Sequence, residues 1–262
     1  MPFNRRDIRQ PQGFTLVELS IILVIIGLLL GGVLAGQTMR RNQQLRAVGT
    51  NAATYMMAMN QFKTTYGYVA GDFPTATELW GRADGGVPLT SNCAAPDTTA
   101  SVGAPTCNGD GNGYLNATGH EIFRAWQHLA ASGLITGRFT GISPYGIGIS
   151  IPKGPLGNTG YGWGAGLVEV NNAALADATY FDGDYTNMLT FGAPAAIMDG
   201  AALTPAETFE LDTKLDDGVP ATGGMRVYKS NVACAVDANG YNVGSGAVSC
   251  APLFLSIYKA AK

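Results

Sequence analysis

Residues 14–36, FTLVELSIILVIIGLLLGGVLAG, form an apolar run broken by one ionisable side chain, Glu18. A helix needs about 20 apolar residues to cross the hydrocarbon core of a bilayer, and this run has them. A helix that is apolar all round has no face for water, so the run must lie in lipid or against other chains. The glutamate is the anomaly. On insertion scales a charge at bilayer depth costs on the order of 3 kcal/mol, and a buried charge is tolerated where something pairs with it.

The flanks do not orient the segment. Arg5, Arg6 and Arg9 precede it and Arg40, Arg41 and Arg46 follow it, so both sides are basic. The cysteines say more, because Cys93, Cys107, Cys234 and Cys250 all lie beyond the apolar run. Their spacing favours two local loops, Cys93–Cys107 and Cys234–Cys250, among the three connectivities open to four cysteines. No Cys-x-x-Cys pair or histidine cluster argues for zinc. Disulfides imply an oxidising compartment and place the body of the chain outside the cytoplasm. With 46% apolar and 13% charged residues, that body can bury an ordinary core. A net charge of -3 gives no footprint for general nucleic-acid binding.

Three readings of the N-terminus compete. It is a secretory signal cut near Val33–Ala35, a plain signal anchor, or a short leader ending at Gly13. The stretch GFTLVELSIILVIIGLL, residues 13–29, resembles the class III signal of type IV pilins and type II secretion pseudopilins. The resemblance is specific over residues 12–40 and architectural beyond them. It implies that a prepilin peptidase cuts between Gly13 and Phe14 and methylates the new Phe14 amine. It also implies that Glu18 pairs with the N-terminal amine of a neighbouring subunit, so that only a correctly docked subunit satisfies the charge. The small-xxx-small spacing of Gly27 with Gly31, and of Gly32 with Gly36, suits close helix approach. The proline often found in this part of the family pattern is missing.

Beyond the apolar run the helical pattern continues. Leu45, Val48, Ala52, Tyr55, Met59, Phe62 and Tyr66 recur every three or four residues, and no proline falls between Gln12 and Tyr66. One helix over residues 14–66 would be about 80 Å long. Its second half carries a stripe that needs a sheet to cover it. Thr75-x-x-Glu78, Thr118-x-x-Glu121 and Thr204-x-x-Glu207 match the capping box and predict helices near 76–80, 119–132 and 205–215. Strands are expected at 146–152, 166–170, 187–192, 224–230 and 252–259. Helix first and antiparallel strands after is an α+β order. It agrees with the fold that the resemblance implies, a long N-terminal helix packed on an antiparallel sheet head with short helices and disulfide loops.

The candidate sites in the body are weaker. Asp110, Asn112 and Glu121 offer oxygens of the kind calcium prefers, although Leu115 stands where an EF-hand needs glycine. A bare turn of Asp, Asn and Gly is the alternative. Asp182 with Asp184, and Asp216 with Asp217, are lesser candidates. In GYGWGAG, residues 160–166, Tyr161 and Trp163 could meet a glycan or another subunit, but core packing or a turn is favoured. His120 and His128 are expected at the surface. No phosphate loop, zinc signature or nucleophile elbow is present, so no enzyme is expected.

The expected organisation is a leader over 1–13, a membrane and filament-core half-helix over 14–36, an amphipathic half-helix over 37–66 and a globular head over 67–262. The resemblance implies a structural pilin, major or minor, of a type IV pilus-like filament. Its partners would be other pilin subunits, the prepilin peptidase, an inner-membrane assembly platform and the lipid bilayer. It would be a single-pass precursor in the bacterial inner membrane with a periplasmic head, later at the cell surface. A pseudopilin in a periplasmic pseudopilus is the near alternative. A membrane-anchored or secreted carbohydrate-binding protein is the alternative of another class.

Overall fold

With no proline to break the amide ladder, a single helix, α1, spans Leu16–Tyr66 in the computed structural model of the protein. The structure describes residues 13–83, 105–116, 121–142, 146–164, 169–170 and 179–255. The chain divides into two units, Met1–Gln43 and Gln44–Lys262, and α1 contributes to both.

In the first unit α1 is bare. Its large apolar side chains from Leu16 to Met39 are all exposed, and none of its apolar window is buried. It is long and apolar enough to cross a membrane. The two hydroxyls of this stretch close on their own helix, Ser20 Oγ on Val17 O at 2.8 Å and Thr38 Oγ1 on Leu34 O at 3.3 Å. Such internal closure is what an apolar medium demands of polar groups.

In the second unit the same helix turns a stripe to the core. Leu45, Val48, Ala52, Met56, Met59 and Phe62 are buried, with Tyr55 and Tyr66 partly buried against the same cluster. Two short helices follow, α2 (Ala76–Trp80) and α3 (Glu121–Ala131). Strands β1 (Gly160–Trp163), β2 (Glu169–Val170), β3 (Gly183–Asp184) and β4 (Leu189–Gly192) precede helix α4 (Pro205–Leu215). Strands β5 (Met225–Arg226) and β6 (Leu253–Phe254) close the order. The main sheet runs β1-β4-β6-β5, antiparallel throughout, and β2 pairs with β3 apart from it.

Register explains how the sheet takes the helix. Trp163 faces Leu189, Leu189 faces Phe254 and Phe254 faces Met225, so one buried row crosses all four strands. Cross-strand partners share a face, and Tyr161 opposite Phe191 extends it. Tyr55 of α1 meets Tyr161 and Trp126 edge-on at 5.1 and 5.0 Å, and Tyr161 Oη donates to Val48 O at 3.0 Å.

Several expectations need correction. GYGWGAG begins with strand β1 rather than a glycine turn; Tyr161 and Trp163 are wholly buried, as the favoured core-packing reading has it, which leaves neither side chain to meet a glycan. Residues 146–152 make a turn with one bridge, Ile147 to Ile151, because Ser150 Oγ accepts the Gly146 amide at 2.7 Å. Helix α3 is buried from Glu121 to Leu129 on every side, so His128 is not a surface residue. Thr75 makes no side-chain cap; Asn108 Oδ1 accepts the Thr77 amide instead, at 2.8 Å. The Thr204–Glu207 capping box forms with Pro205 in the first turn. Thr118 and His120 lie outside the described residues.

Candidate functional site

Gly13 and Phe14 precede the first turn of α1, and Phe14 is 82% exposed. A side chain at Gly13 would meet nothing within 4 Å, so no packing within the described chain calls for glycine there. Thr15 then starts the helix. Its hydroxyl accepts the Glu18 amide at 3.2 Å, and the Glu18 carboxylate accepts the Thr15 amide at 2.8 Å and the Thr15 hydroxyl at 2.9 Å. This is a capping box that sequence reasoning missed, although Thr15-x-x-Glu18 has the required spacing. The carboxylate also lies in the first turn, where the helix dipole favours negative charge.

The glycines of the apolar half behave like Gly13. Gly27, Gly31, Gly32 and Gly36 would each accept a Cβ with nothing within 4 Å. Each costs helix stability of roughly 1 kcal/mol relative to alanine. No contact within the described chain accounts for that cost.

In the body, the proposed calcium ligands are joined by one residue not foreseen, Asp72. Asp72, Asp110 and Glu121 place carboxylate oxygens within 4.8 Å of one another. Asp72 is fully buried and accepts the amides of Gly111 and Gly113 at 2.6 Å and of Asn112 at 3.2 Å. Glu121 accepts the amides of Asp110 and Asn116 at 3.2 and 2.7 Å. Asp110 holds the Asn112 amide, and Asn112 Oδ1 holds that of Tyr114. Burial pushes the Asp72 carboxyl up to about 6 and that of Glu121 up to about 7. The loop over 107–116 is thus organised by backbone amides converging on buried carboxylates. Asp184 accepts the Thr186 amide in a similar local turn, and the Asp182 carbonyl receives Arg226.

His128 sits beneath this loop with no exposed atom. Gly71 N–H donates to its Nδ1 at 2.9 Å, so the ring proton is on Nε2 and points to Thr106 Oγ1 at 2.8 Å. Burial, with the Arg124 charge adding to it, holds the ring down to about 3. A ring locked neutral with both nitrogens occupied is a structural group.

Cys234 and Cys250 are bonded, with Cα atoms 5.1 Å apart, and both are buried. Cys107 is buried and disulfide-bonded; Cys93, its expected partner, lies outside the described residues.

A helix long and apolar enough to cross a membrane, with a capped glutamate in its first turn, and an antiparallel sheet with small helices behind it give the chain a pilin-like α+β fold. Residues 8–34 match the family model for the prokaryotic N-terminal methylation motif, and the chain therefore carries the type IV pilin and pseudopilin signal. No curated protein and no solved structure matches the chain. An apolar helix behind this signal fits a single-pass inner-membrane precursor.

Proposed function

We propose that this chain is a structural subunit, a major or minor pilin, of a type IV pilus-like filament. Prepilin peptidase cuts between Gly13 and Phe14 and methylates the Phe14 amine. The subunit waits in the inner membrane with residues 67–262 in the periplasm, and the assembly platform then draws it into a filament through residues 14–36. In the filament the apolar helices of many copies bury one another, and Glu18 sets register by pairing with a neighbour's Phe14 amine. The observation that carries this reading is the methylation motif lying on a helix whose apolar side chains find no cover in their own chain.

Intact-mass analysis and N-terminal sequencing of the membrane-extracted protein test it. A mature chain beginning at N-methylated Phe14 is expected. A start elsewhere, for example at Gly36, would overturn the reading and favour a cleaved secretory signal. A pseudopilin of a type II secretion system shares all of this chemistry. Surface filaments that disappear on deletion distinguish the pilus subunit from it.

A further inference from the structure

Three asparagines of this chain precede a glycine, in the pairs Asn108–Gly109, Asn112–Gly113 and Asn239–Gly240. An asparagine carboxamide is open to attack by the backbone nitrogen of the next residue. Glycine presents that nitrogen with least obstruction, because it has no Cβ and the widest choice of backbone angles. The nitrogen must be free to turn and to lose its proton, so an N–H engaged as a hydrogen-bond donor is held back from the reaction.

The structure separates the three pairs. Asn108 is buried, its Oδ1 accepts the Thr77 amide at 2.8 Å, and the Gly109 amide donates to Phe73 O at 3.0 Å. Asn112 is exposed, so burial does not protect it. Its side chain is nonetheless tied at both ends, Nδ2 to Asp110 Oδ2 at 2.8 Å and Oδ1 to the Tyr114 amide at 2.7 Å, and the Gly113 amide donates to Asp72 Oδ2 at 2.6 Å. Asn239 has neither restraint. It is exposed in the loop that Cys234–Cys250 closes, and among the described residues neither its carboxamide nor the Gly240 amide has a hydrogen-bond partner. The pair is positioned by other atoms, the Asn239 amide on Asp237 Oδ1 at 2.7 Å and the Gly240 carbonyl accepting the Val236 amide at 2.9 Å.

The geometry points to Asn239 as a site of spontaneous deamidation in the folded protein, with Asn108 and Asn112 protected by their hydrogen bonds. The Gly240 nitrogen gives its proton to solvent base and bonds to Asn239 Cγ. The Cγ–Nδ2 bond breaks and ammonia leaves, which closes a succinimide ring. Water then opens the ring at either carbonyl. Attack at Cγ yields aspartate, and attack at the main-chain carbonyl carbon yields isoaspartate, whose backbone runs through Cγ. Water is consumed, ammonia is released and nothing is oxidised or reduced. Either product sets a new carboxylate two residues from Asp237, so the tip of the loop gains negative charge beside a charge already there. The same chemistry at Asn108 or Asn112 must wait for local opening around Asp72. The proposal concerns the head alone and stands apart from the reading of the N-terminus.

The test incubates the full chain in detergent in mildly alkaline buffer, beside a second sample unfolded in guanidinium chloride. Both are reduced, alkylated and digested, and the peptides are read by mass spectrometry, with isoaspartate counted by isoaspartyl methyltransferase labelling. In the folded sample, acid is expected to accumulate at position 239 while positions 108 and 112 keep their amides. In guanidinium chloride, where the protecting hydrogen bonds are gone, positions 108 and 112 should convert as position 239 does. Gly240→Ala should lose most of the product at 239, because its methyl group hinders the attacking nitrogen. The fold accepts that change, since a Cβ there would stand 3.5 Å from Val236 Cγ2, an ordinary contact. Asn239→Gln should lose the isoaspartate signal of the folded chain. The proposal is overturned if position 239 keeps its amide when folded but converts when unfolded. It is overturned equally if Asn112 converts as fast as Asn239 in the folded chain, or if Gly240→Ala leaves the rate at 239 unchanged.

Discussion

The Glu18 carboxylate takes both the amide of Thr15, at 2.8 Å, and its hydroxyl, at 2.9 Å. A charge at the start of an apolar helix is thus satisfied by its own chain. In the proposed filament the Phe14 amine of a neighbour would have to compete with this cap for the same oxygens, and Glu18 would then have a partner both before docking and after it.

Two substitutions separate those roles. Glu18→Ala should leave leader removal and membrane retention intact and strongly reduce filament yield, because the inter-subunit partner is gone. Thr15→Val weakens only the helix start, by about 1 kcal/mol, and should reduce yield less. Immunoblots of sheared-filament and membrane fractions measure both. Normal yield from Glu18→Ala would refute the register role.

Glycines in the two units should respond in opposite ways. Gly31→Val meets no neighbour in its own chain and should leave the melting of the head unchanged while lowering filament yield. Gly71→Ala should destabilise the head by about 1–3 kcal/mol, as overpacking of a core site does. Gly71 has φ +97, and a Cβ there would press on Leu115 Cδ2 at 2.8 Å and Ala125 N at 3.0 Å. Differential scanning calorimetry of each variant checks the pair, and a lowered head Tm in Gly31→Val would contradict the assignment.

His128 sets a pH dependence. Its folded value near 3 lies below the ordinary 6.5, so between those values the unfolded chain binds a proton that the folded chain refuses. Stability from this ring is complete above about pH 6.5 and is lost as pH falls toward 3, by about 2 kcal/mol between pH 7 and pH 5. Asp72 and Glu121 act with the opposite sign, since their raised values make the fold lose stability as pH rises from the ordinary carboxyl range toward about 6 and 7. The total curve sums opposing slopes, and comparison with His128→Asn isolates the ring. Chemical denaturation at pH 7 and pH 5 should show the wild type losing about 2 kcal/mol more than the variant. Parallel curves would refute the assignment.

What was legible in the sequence was local. The stripe from Leu45 to Phe62 and the Thr204–Glu207 box depend on spacing along one helix, and both stand in the structure. Tertiary choices were hidden. Gly160 and Gly162 looked like turn residues, yet the closeness of Met198 and of the Ile197 carbonyl makes glycine the residue that lets strand β1 fit. His128 looked exposed because nothing in its own helix announces Gly71 or Thr106 as ring partners. Asp72 was missed for the same reason, its ligands being amides some forty positions away. Thr15-x-x-Glu18, by contrast, carries the capping-box spacing within four residues, so this contact is legible in the sequence alone.

The Cys234–Cys250 bond closes a loop of sequence separation 16 and carries Tyr241, whose hydroxyl reaches Asp212 on α4. The Cys250 carbonyl also accepts the amides of Ala202 and Leu203 just before α4, so the bond braces both ends of that helix. Closing a loop of this size is worth about 3 kcal/mol. For a domain of this size that corresponds to a Tm loss of roughly 6–12 °C when the bond is absent. The paired change Cys234→Ala with Cys250→Ala should show it without touching Cys107, which a chemical reductant would also affect. Calorimetry of that variant against the wild type is the measurement, and an unchanged Tm would mean that the brace contributes nothing to the fold.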